Sequence, residues 1–290
     1  MRFISFEHGS THHIGAVLGD QVIDLNASNP KLPIGLGQYL RGGGTLQDLE
    51  VLASASKAQH ARPMNGIVHG LPIADPGKIF CLGLNYLEHV KEGGNKVVDY
   101  PTIFMRGASS LTAHNKPIMR PTISEKLDFE AELVLVIGQK MRHATKHTAL
   151  EAVAGYSCFN DGTLRDYQKR TTQWTIGKNF DQTGGFGPCL VTPDELPSGA
   201  SGLKIESRLN GKVMQFDNTS NMMFPVIETI VTITQAITLE PGDMIVMGTP
   251  SGVGYARTPP VFMKAGDTCD IEIEGIGTLS NPIQDEIATE

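Results

Sequence analysis

The segment from Asp128 to Gly138, DFEAELVLVIG, places acidic side chains at the start of an uninterrupted apolar run. Branched aliphatic residues that end in a glycine are typical of a buried strand. Side chains two apart on a strand point to the same face, so Asp128, Glu130 and Glu132 are predicted to lie close together. Like charges at that spacing repel one another and lose hydration, and the fold must therefore compensate for them.

A hard divalent cation is the simplest compensation for clustered carboxylates, because Mg²⁺ and Ca²⁺ prefer oxygen ligands. Such a site usually takes a third acid from another segment. Asp161, in CFNDGTLRDYQ, stands where a predicted strand ends. The EF-hand loop pattern is absent from the sequence. A glutamate at the start of a strand is also commonly an exposed edge residue, and the spacing alone leaves both interpretations open.

Composition and charge narrow the class of protein. The 290 residues are 40% hydrophobic and 19% charged, which is ordinary for a globular chain. A net charge of -7 argues against nucleic-acid binding, which needs a basic face. No apolar run approaches the ~18 residues of a membrane span, and the start lacks the usual signal region. The four cysteines are scattered without a CxxC pair, so we expect a reduced, cytoplasmic protein that binds neither nucleic acid nor membrane.

Two units are predicted along the chain. Residues 1–72 combine short strand-like runs with the helical stretches LGQYLRGG and TLQDLEVLASASKAQH, as a small N-terminal α+β domain. The proline- and glycine-containing HGLPIADPGKIF marks the boundary. Residues 75–290 are dominated by strands, with a hairpin at Asn210-Gly211 and helices predicted in ATKHTALEAVAGY and FPVIETIVTITQAITL. The predicted fold class is therefore β-rich α+β.

The segment GLNYLEHVKEGG indicates a short helix that Asn85 caps and the glycines end. His89 and Glu92 are three apart and share a helix face, where the carboxylate can fix the tautomer of a general base. An exposed surface pair has the same spacing, so the pattern does not separate the two. Lys178 lies among small residues in TIGKNFDQTGGFGP, from which it can reach into a site. Phosphate-loop, GxSxG and HExxH motifs are absent.

The order of the motifs resembles the fumarylacetoacetate hydrolase superfamily. The resemblance runs from about Lys78 to Pro282, which is most of the chain. The motifs that carry it are GLNYLEHVKE, PTIFMRGASSL, DFEAELVLVIG, FNDGTLRDYQ, GKNFDQTGGFGP, RLNGKVMQFDNTSNMMFPV and LEPGDMIVMGTPSGVG. The later GVGYARTPPVFMKAGD is similar to the longer, bacterial-type members with an N-terminal extension domain, some of which act on oxaloacetate or sugar-acid derivatives.

The resemblance implies a metal site and a catalytic pair. The E-x-E motif of the family falls on Glu130 and Glu132 and its later acid on Asp161, a ligand set for Mg²⁺, or for Mn²⁺ or Ca²⁺ in its place. His89 and Glu92 match the pair that activates water, on a segment that is a mobile lid in relatives.

It also implies substrate contacts, a fold and an assembly. Lys178 matches a lysine aimed at a developing oxyanion, and Arg165 and Gln168 match residues that contact carboxylate or carbonyl groups of the substrate. Thr249 matches a threonine near the carboxylate end of the substrate. The implied fold is a mixed β-sandwich roll, and the implied assembly is a homodimer.

The main expectation is a divalent-metal-dependent hydrolase that cleaves a carbon–carbon bond. Its substrate is expected to be a 2,4-dioxo acid of the acylpyruvate type, split into a 2-oxo acid and a carboxylic acid. The alternative is an oxaloacetate decarboxylase or a keto–enol tautomerase or isomerase at the same metal site, and the motifs do not separate these reactions. A relative that binds metal without catalysis is a third interpretation, although neither the dyad nor a ligand is missing.

Overall fold

Short helices and strands build the protein, and strands predominate. The computed structural model describes residues 1–56 and 58–287. In these residues the strands are β1 (Arg2–His8), β2 (Thr11–Leu18), β3 (Gln21–Asp24), β4 (Ala61–Pro63), β5 (His69–Gly70), β6 (Ile79–Gly83), β7 (Thr102–Arg106), β8 (Leu111–Ala113), β9 (Ile118–Arg120), β10 (Leu127–Asp128), β11 (Ala131–Ile137), β12 (Val153–Asp161), β13 (Thr163–Leu164), β14 (Gly184–Val191), β15 (Lys204–Leu209), β16 (Lys212–Asn218), β17 (Met244–Val246), β18 (Thr268–Ile273) and β19 (Gly277–Asp285). The helices are α1 (Leu25–Ser28), α2 (Leu36–Arg41), α3 (Leu46–Ala55), α4 (Leu87–Glu92), α5 (Arg165–Gln168), α6 (Thr175–Lys178) and α7 (Val226–Ala236). Single 3-10 turns lie at Ala58–His60, Ala108–Ser110, Ala149–Ala152, Pro193–Glu195, Ser198–Ala200, Thr219–Asn221 and Gly254–Ala256.

Two sheets pack face to face. The larger sheet has the order β4-β3-β2-β1-β14-β12-β11-β17-β6-β7, with β5 beside β1 and β8 beside β14. The smaller sheet has the order β16-β15-β18-β19-β9, and its strands contact β11, β12 and β14. The predicted β-rich α+β class with packed sheets is confirmed.

Strand β11 lies in the interior of the larger sheet, between β12 and β17. Leu133 and Leu135 join the core between the two sheets. Val134 and Val136 face a second core, to which helices α2 and α3 contribute. Because the strand is buried on both faces, alternate side chains do not need to be polar, which accounts for its uninterrupted apolar run.

The N-terminal strands continue the larger sheet. Strand β1 pairs antiparallel with β14, and Arg2 lies opposite Val191 and Phe3 opposite Leu190. The second core also joins Phe3 to residues of β11 and β17. The division into residues 1–72 and 75–290 stays a prediction, and the two predicted units share both a sheet and a core.

Two local predictions fare differently. The hairpin turn is confirmed, with φ values of 52° at Asn210 and 77° at Gly211. The helix predicted in ATKHTALEAVAGY is wrong, because only Ala149–Ala152 forms a 3-10 turn and Val153 already begins β12. Pairing of β12 with both β11 and β14 outweighs the local helical pattern there.

Across the described ranges, no helix has the length and hydropathy that a bilayer crossing needs.

We predict that Leu135→Ala lowers the free energy of unfolding by about 3 kcal/mol, since it leaves a cavity in a core strand. Leu135 is fully buried, whereas Leu18, on β2 of the same sheet, is 44% exposed. Leu18→Ala is the matched control and is expected to change stability by less than about 0.5 kcal/mol. Urea unfolding followed by circular dichroism measures both, and equal losses would contradict the central position of β11.

Candidate active site and metal centre

Three carboxylates meet where β11 begins and β12 ends. The two strands are antiparallel neighbours, with Ala131 opposite Asn160, so the residues next to this pair lie side by side. Carboxylate oxygens of Glu130, Glu132 and Asp161 lie within 4.8 Å of one another, and all three side chains are buried. The predicted acid cluster is therefore brought together by strand pairing.

Three buried cations surround two of these acids. Lys178 Nζ lies 2.5 Å from Glu130 Oε2 and 2.6 Å from Asp161 Oδ2. Arg165 Nη2 lies 2.6 Å from Glu130 Oε1, and Arg106 forms an ion pair with Asp161. Burial raises the pKa of Glu130, but the charges of Arg165 and Lys178 outweigh it and hold that pKa below the usual range.

Glu132 has no such ion pair within the described part of the chain, and a backbone group alone donates to it. Its Oε2 accepts a hydrogen bond of 2.5 Å from the Gly248 nitrogen. Gly248 has a φ of 87°, and a Cβ there would lie 2.7 Å from the Asn85 Cβ, so the position requires glycine. Burial, and next the charges of Asp161 and Glu130, raise the pKa of Glu132 well above its usual range.

This donor set fits a divalent cation. Three buried carboxylates that converge on one place are the hard oxygen ligands that such ions prefer. With Asp128 beside them, four acids face three basic side chains, so the cluster carries a formal net charge of minus one. The uncompensated group is Glu132, and a bound cation would relieve the repulsion that raises its pKa.

Asp128 lies beside this cluster, outside its set of converging oxygens. Its carboxylate accepts hydrogen bonds from Arg165 Nε at 2.8 Å, from the Gly254 nitrogen at 2.8 Å and from the Tyr255 nitrogen at 3.0 Å. Burial nonetheless raises the pKa of Asp128. Its contacts orient Arg165 and the loop that carries Tyr255.

In the predicted pair on α4, His89 is buried and the two side chains are bonded. His89 Nδ1 lies 2.8 Å from Glu92 Oε1, and Glu92 Oε2 accepts a hydrogen bond of 2.8 Å from the Gly252 nitrogen. His89 is only 7% exposed, which excludes the surface-pair interpretation. Glu92 therefore holds the imidazole through Nδ1 and leaves Nε2 as the nitrogen that can exchange a proton.

The predicted cap of α4 is wrong. The residue that precedes the helix is Tyr86, and no side chain caps it. The Asn85 amide instead donates to the Met247 carbonyl at 2.7 Å and to the Phe224 carbonyl at 3.1 Å. Asn85 therefore ties the base of this helix to two distant segments.

A cavity of about 250 Å³ joins these groups. Seven of the predicted site residues line it: His89, Glu130, Glu132, Arg165, Gln168, Lys178 and Thr249. The rest of the lining, which was not predicted, consists of Leu82, Gly83, Leu84, Gly93, Asn95, Phe104, Lys169, Thr171, Trp174 and Tyr255. Glu92 and Asp161 do not line the cavity, and each contacts a residue that does. All nine predicted site residues therefore lie in one place, while their individual roles stay predictions.

The predicted substrate contacts are held by protein partners. Arg165 Nη1 donates to Gln168 Oε1 at 2.9 Å, in addition to its contacts with Asp128 and Glu130. Thr249 Oγ1 accepts a hydrogen bond of 2.7 Å from Gln215 Nε2. These bonds fix the polar wall of the cavity.

Sequence reasoning missed two supporting residues. Arg106 lies in the quoted PTIFMRGASSL motif, where a single arginine at the end of an apolar strand is a signal for a buried carboxylate partner. Gln215 accepts a hydrogen bond from the Ala131 nitrogen at 2.9 Å while it donates to Thr249. No local pattern around Gln215 indicates that it links β11 to the loop of Thr249.

Converging carboxylates that fit a cation, in one small cavity with a buried histidine that a glutamate holds, are the arrangement of a metal-assisted enzyme that acts on small molecules. The profile of the fumarylacetoacetate (FAA) hydrolase C-terminal family matches residues 78–284. The chain belongs to the fumarylacetoacetate hydrolase family.

Relatives align along nearly the whole chain. Oxaloacetate tautomerase fahd2, mitochondrial, of Xenopus laevis is 39% identical over 98% of this chain and 90% of its own. Oxaloacetate tautomerase FAHD2A, mitochondrial, of Homo sapiens is 38% identical over 98% of this chain and 91% of its own. These names favour the tautomerase alternative over the expected carbon–carbon hydrolase. The bacterial-type subgroup and the cytoplasmic location stay predictions.

Solved structures share the fold. A putative HpcE protein from Mycobacterium smegmatis has a TM-score of 0.88 and 30% identity, covering 99% of this chain and 100% of that one. Maleylpyruvate hydrolase from Sphingobium sp. SYK-6, in complex with manganese(II) ion and pyruvate, has a TM-score of 0.81 and 25% identity over the same shares. The second structure shows that a protein of this fold binds a divalent cation.

We predict that Glu132→Gln weakens Mn²⁺ binding by at least about tenfold, the loss seen when even an outer partner of a metal ligand is removed. Isothermal titration calorimetry of the purified protein measures it. Glu125→Gln is the control, because Glu125 is an exposed acid a few residues earlier in the chain. Unchanged Mn²⁺ affinity in Glu132→Gln would contradict the proposed ligand set.

Proposed function

We propose that the protein catalyses the keto–enol tautomerisation of oxaloacetate with a divalent cation, Mg²⁺ by preference, held by Glu130, Glu132 and Asp161. The observation that carries the proposal is that His89, fixed by Glu92, lines the same small cavity as Glu130 and Glu132. The relatives named oxaloacetate tautomerase, which align with 98% of this chain, support it.

Keto–enol tautomerisation requires only proton transfer from the active site. The enol loses the proton of its C2 hydroxyl and gains one at C3, while no bond between heavy atoms forms or breaks and no water is consumed. One group that gives and takes a proton is sufficient, provided that it is held in place. His89 fulfils this requirement through Nε2, since Glu92 binds Nδ1.

Charge favours the developing enolate. When bound, the cation supplies a Lewis acid for the 2-oxo oxygen. It would also change the formal charge of the buried cluster from one negative to one positive unit, which suits an anionic substrate. Lys178 and Arg165 keep Glu130 ionised, and Thr249 lies on the cavity wall with its hydroxyl already oriented by Gln215.

A second candidate is the hydrolase that the sequence favours. The structural neighbour named maleylpyruvate hydrolase supports it, because that protein has the same fold and binds pyruvate with manganese. Hydrolysis would require His89 to activate a water molecule for attack on a carbonyl carbon.

We also propose, from the family resemblance, that the protein forms a homodimer.

Three assays with Mg²⁺ separate the reactions. Loss of enol absorbance from freshly dissolved oxaloacetate, faster than in buffer and abolished by EDTA, is the result expected for a tautomerase. Pyruvate and carbon dioxide from oxaloacetate would instead indicate a decarboxylase. Acetate and pyruvate from acetylpyruvate would indicate a hydrolase, and either result without accelerated enol loss would contradict the proposal.

We predict that His89→Gln lowers kcat for enol conversion by about 100- to 10,000-fold, the usual contribution of a positioned acid–base group. Stopped-flow absorbance measures the rate. His147→Gln removes an exposed histidine and is expected to leave kcat unchanged. A His89→Gln protein with unchanged kcat would exclude this histidine as the proton carrier.

A further inference from the structure

One basic side chain at the edge of the cavity, that of Lys169, forms no ion pair with the carboxylates of the site. Lys169 follows α5, lines the cavity and is exposed to solvent. The other basic lysine and arginine side chains of the cavity wall, Arg165 and Lys178, are neutralised by Asp128, Glu130 and Asp161. Within residues 1–56 and 58–287, Lys169 forms no ion pair.

An aromatic ring gives Lys169 a defined position. Its Nζ lies 4.0 Å from the centroid of the Tyr255 ring, and the Arg165 guanidinium lies 4.5 Å from the same centroid. The Tyr255 backbone is in turn bonded to Asp128. Burial, and next the charge of Arg165, lower the pKa of Lys169, and the charge of Asp128 only partly offsets them.

The ring also reaches the segment that carries the histidine pair. A Cβ added to Gly93, which ends α4, would lie 2.7 Å from the Tyr255 hydroxyl oxygen. Lys169, Tyr255 and Gly93 therefore form one border of the cavity, at which the Lys169 side chain is exposed. A substrate whose 2-oxo acid end lies at the buried carboxylates would extend its other end toward this border.

We propose that Lys169, positioned on the Tyr255 ring, binds the distal carboxylate of a dicarboxylic 2-oxo acid and selects it over monocarboxylic analogues. The inference rests on the proposed function and adds a specificity residue to it. The second carboxylate of oxaloacetate needs a cation or several donors when it leaves water. Lys169 is the cation of the cavity wall that no carboxylate of the described chain neutralises.

The test compares oxaloacetate with its C4 monomethyl ester, which lacks the distal charge. For Lys169→Gln we expect KM for oxaloacetate to rise about tenfold, equivalent to about 1.4 kcal/mol, with kcat nearly unchanged. KM for the ester should stay the same. Lys169→Arg, which keeps the charge, should retain most of the preference for oxaloacetate.

Arg170→Gln is the matched control. Arg170 is the next residue, also exposed, and its guanidinium lies 3.8 Å from the Tyr167 ring centroid; neither Arg170 nor Tyr167 lines the cavity. The Arg170→Gln substitution removes the same charge one position along the chain and is expected to leave both KM values, for oxaloacetate and for the ester, unchanged. Added salt should raise KM for oxaloacetate more in the wild type than in Lys169→Gln, since exposed charges are screened.

The outcomes separate the two proposals. Accelerated enol conversion with equal selectivity in wild type and Lys169→Gln would overturn the inference and leave the proposed function standing. If the wild type does not convert oxaloacetate, the proposed function fails, and calorimetric binding of oxaloacetate and pyruvate with Mg²⁺ then decides the inference. A preference for oxaloacetate that Lys169→Gln loses would support it, and no preference in the wild type would overturn it.

Discussion

Compensation of buried negative charge is the constraint on which the rest of this structure depends. Glu130, Glu132 and Asp161 are brought together by the pairing of two central strands, so their repulsion cannot be relieved by moving one of them alone. Lys178 and Arg165 offset part of it, and both line the cavity as a consequence. The polar wall of the site is therefore also what permits the core strand to begin there.

The fold protects this arrangement by burying β11 from both sides. The smaller sheet covers one face, and the helices of the N-terminal region contribute to the core on the other. Burial lowers the local dielectric response, which strengthens each charge interaction at the strand's end.

Sequence reasoning reached the parts of the structure that local patterns encode. The apolar run of β11, the hairpin at Asn210-Gly211 and the spacing of His89 and Glu92 each needed only a few neighbouring residues. Strand spacing and motif position indicated the acid set and Lys178, and the family resemblance then favoured a metal site over exposed edge residues. Local patterns do not predict contacts with distant partners: Asn85, predicted as a helix cap, instead bonds to carbonyls far along the chain, Gln215 links two separate segments, and Lys169 lies against the Tyr255 ring. The false helix before β12 failed for the same reason, since strand pairing decided it.

The loop GTPSGVGY connects groups that perform different tasks. Its backbone nitrogens donate to Glu132 from Gly248, to Glu92 from Gly252 and to Asp128 from Gly254. One short stretch of main chain thus sets the position of a carboxylate of the proposed cation site and of the carboxylate that holds His89. Mutations in this loop would not alter one of these carboxylates in isolation, because the same backbone positions Glu132 in the proposed cation site and Glu92 beside the proposed base. Evolution of a new reaction in this scaffold can therefore change the outer wall far more freely than this loop.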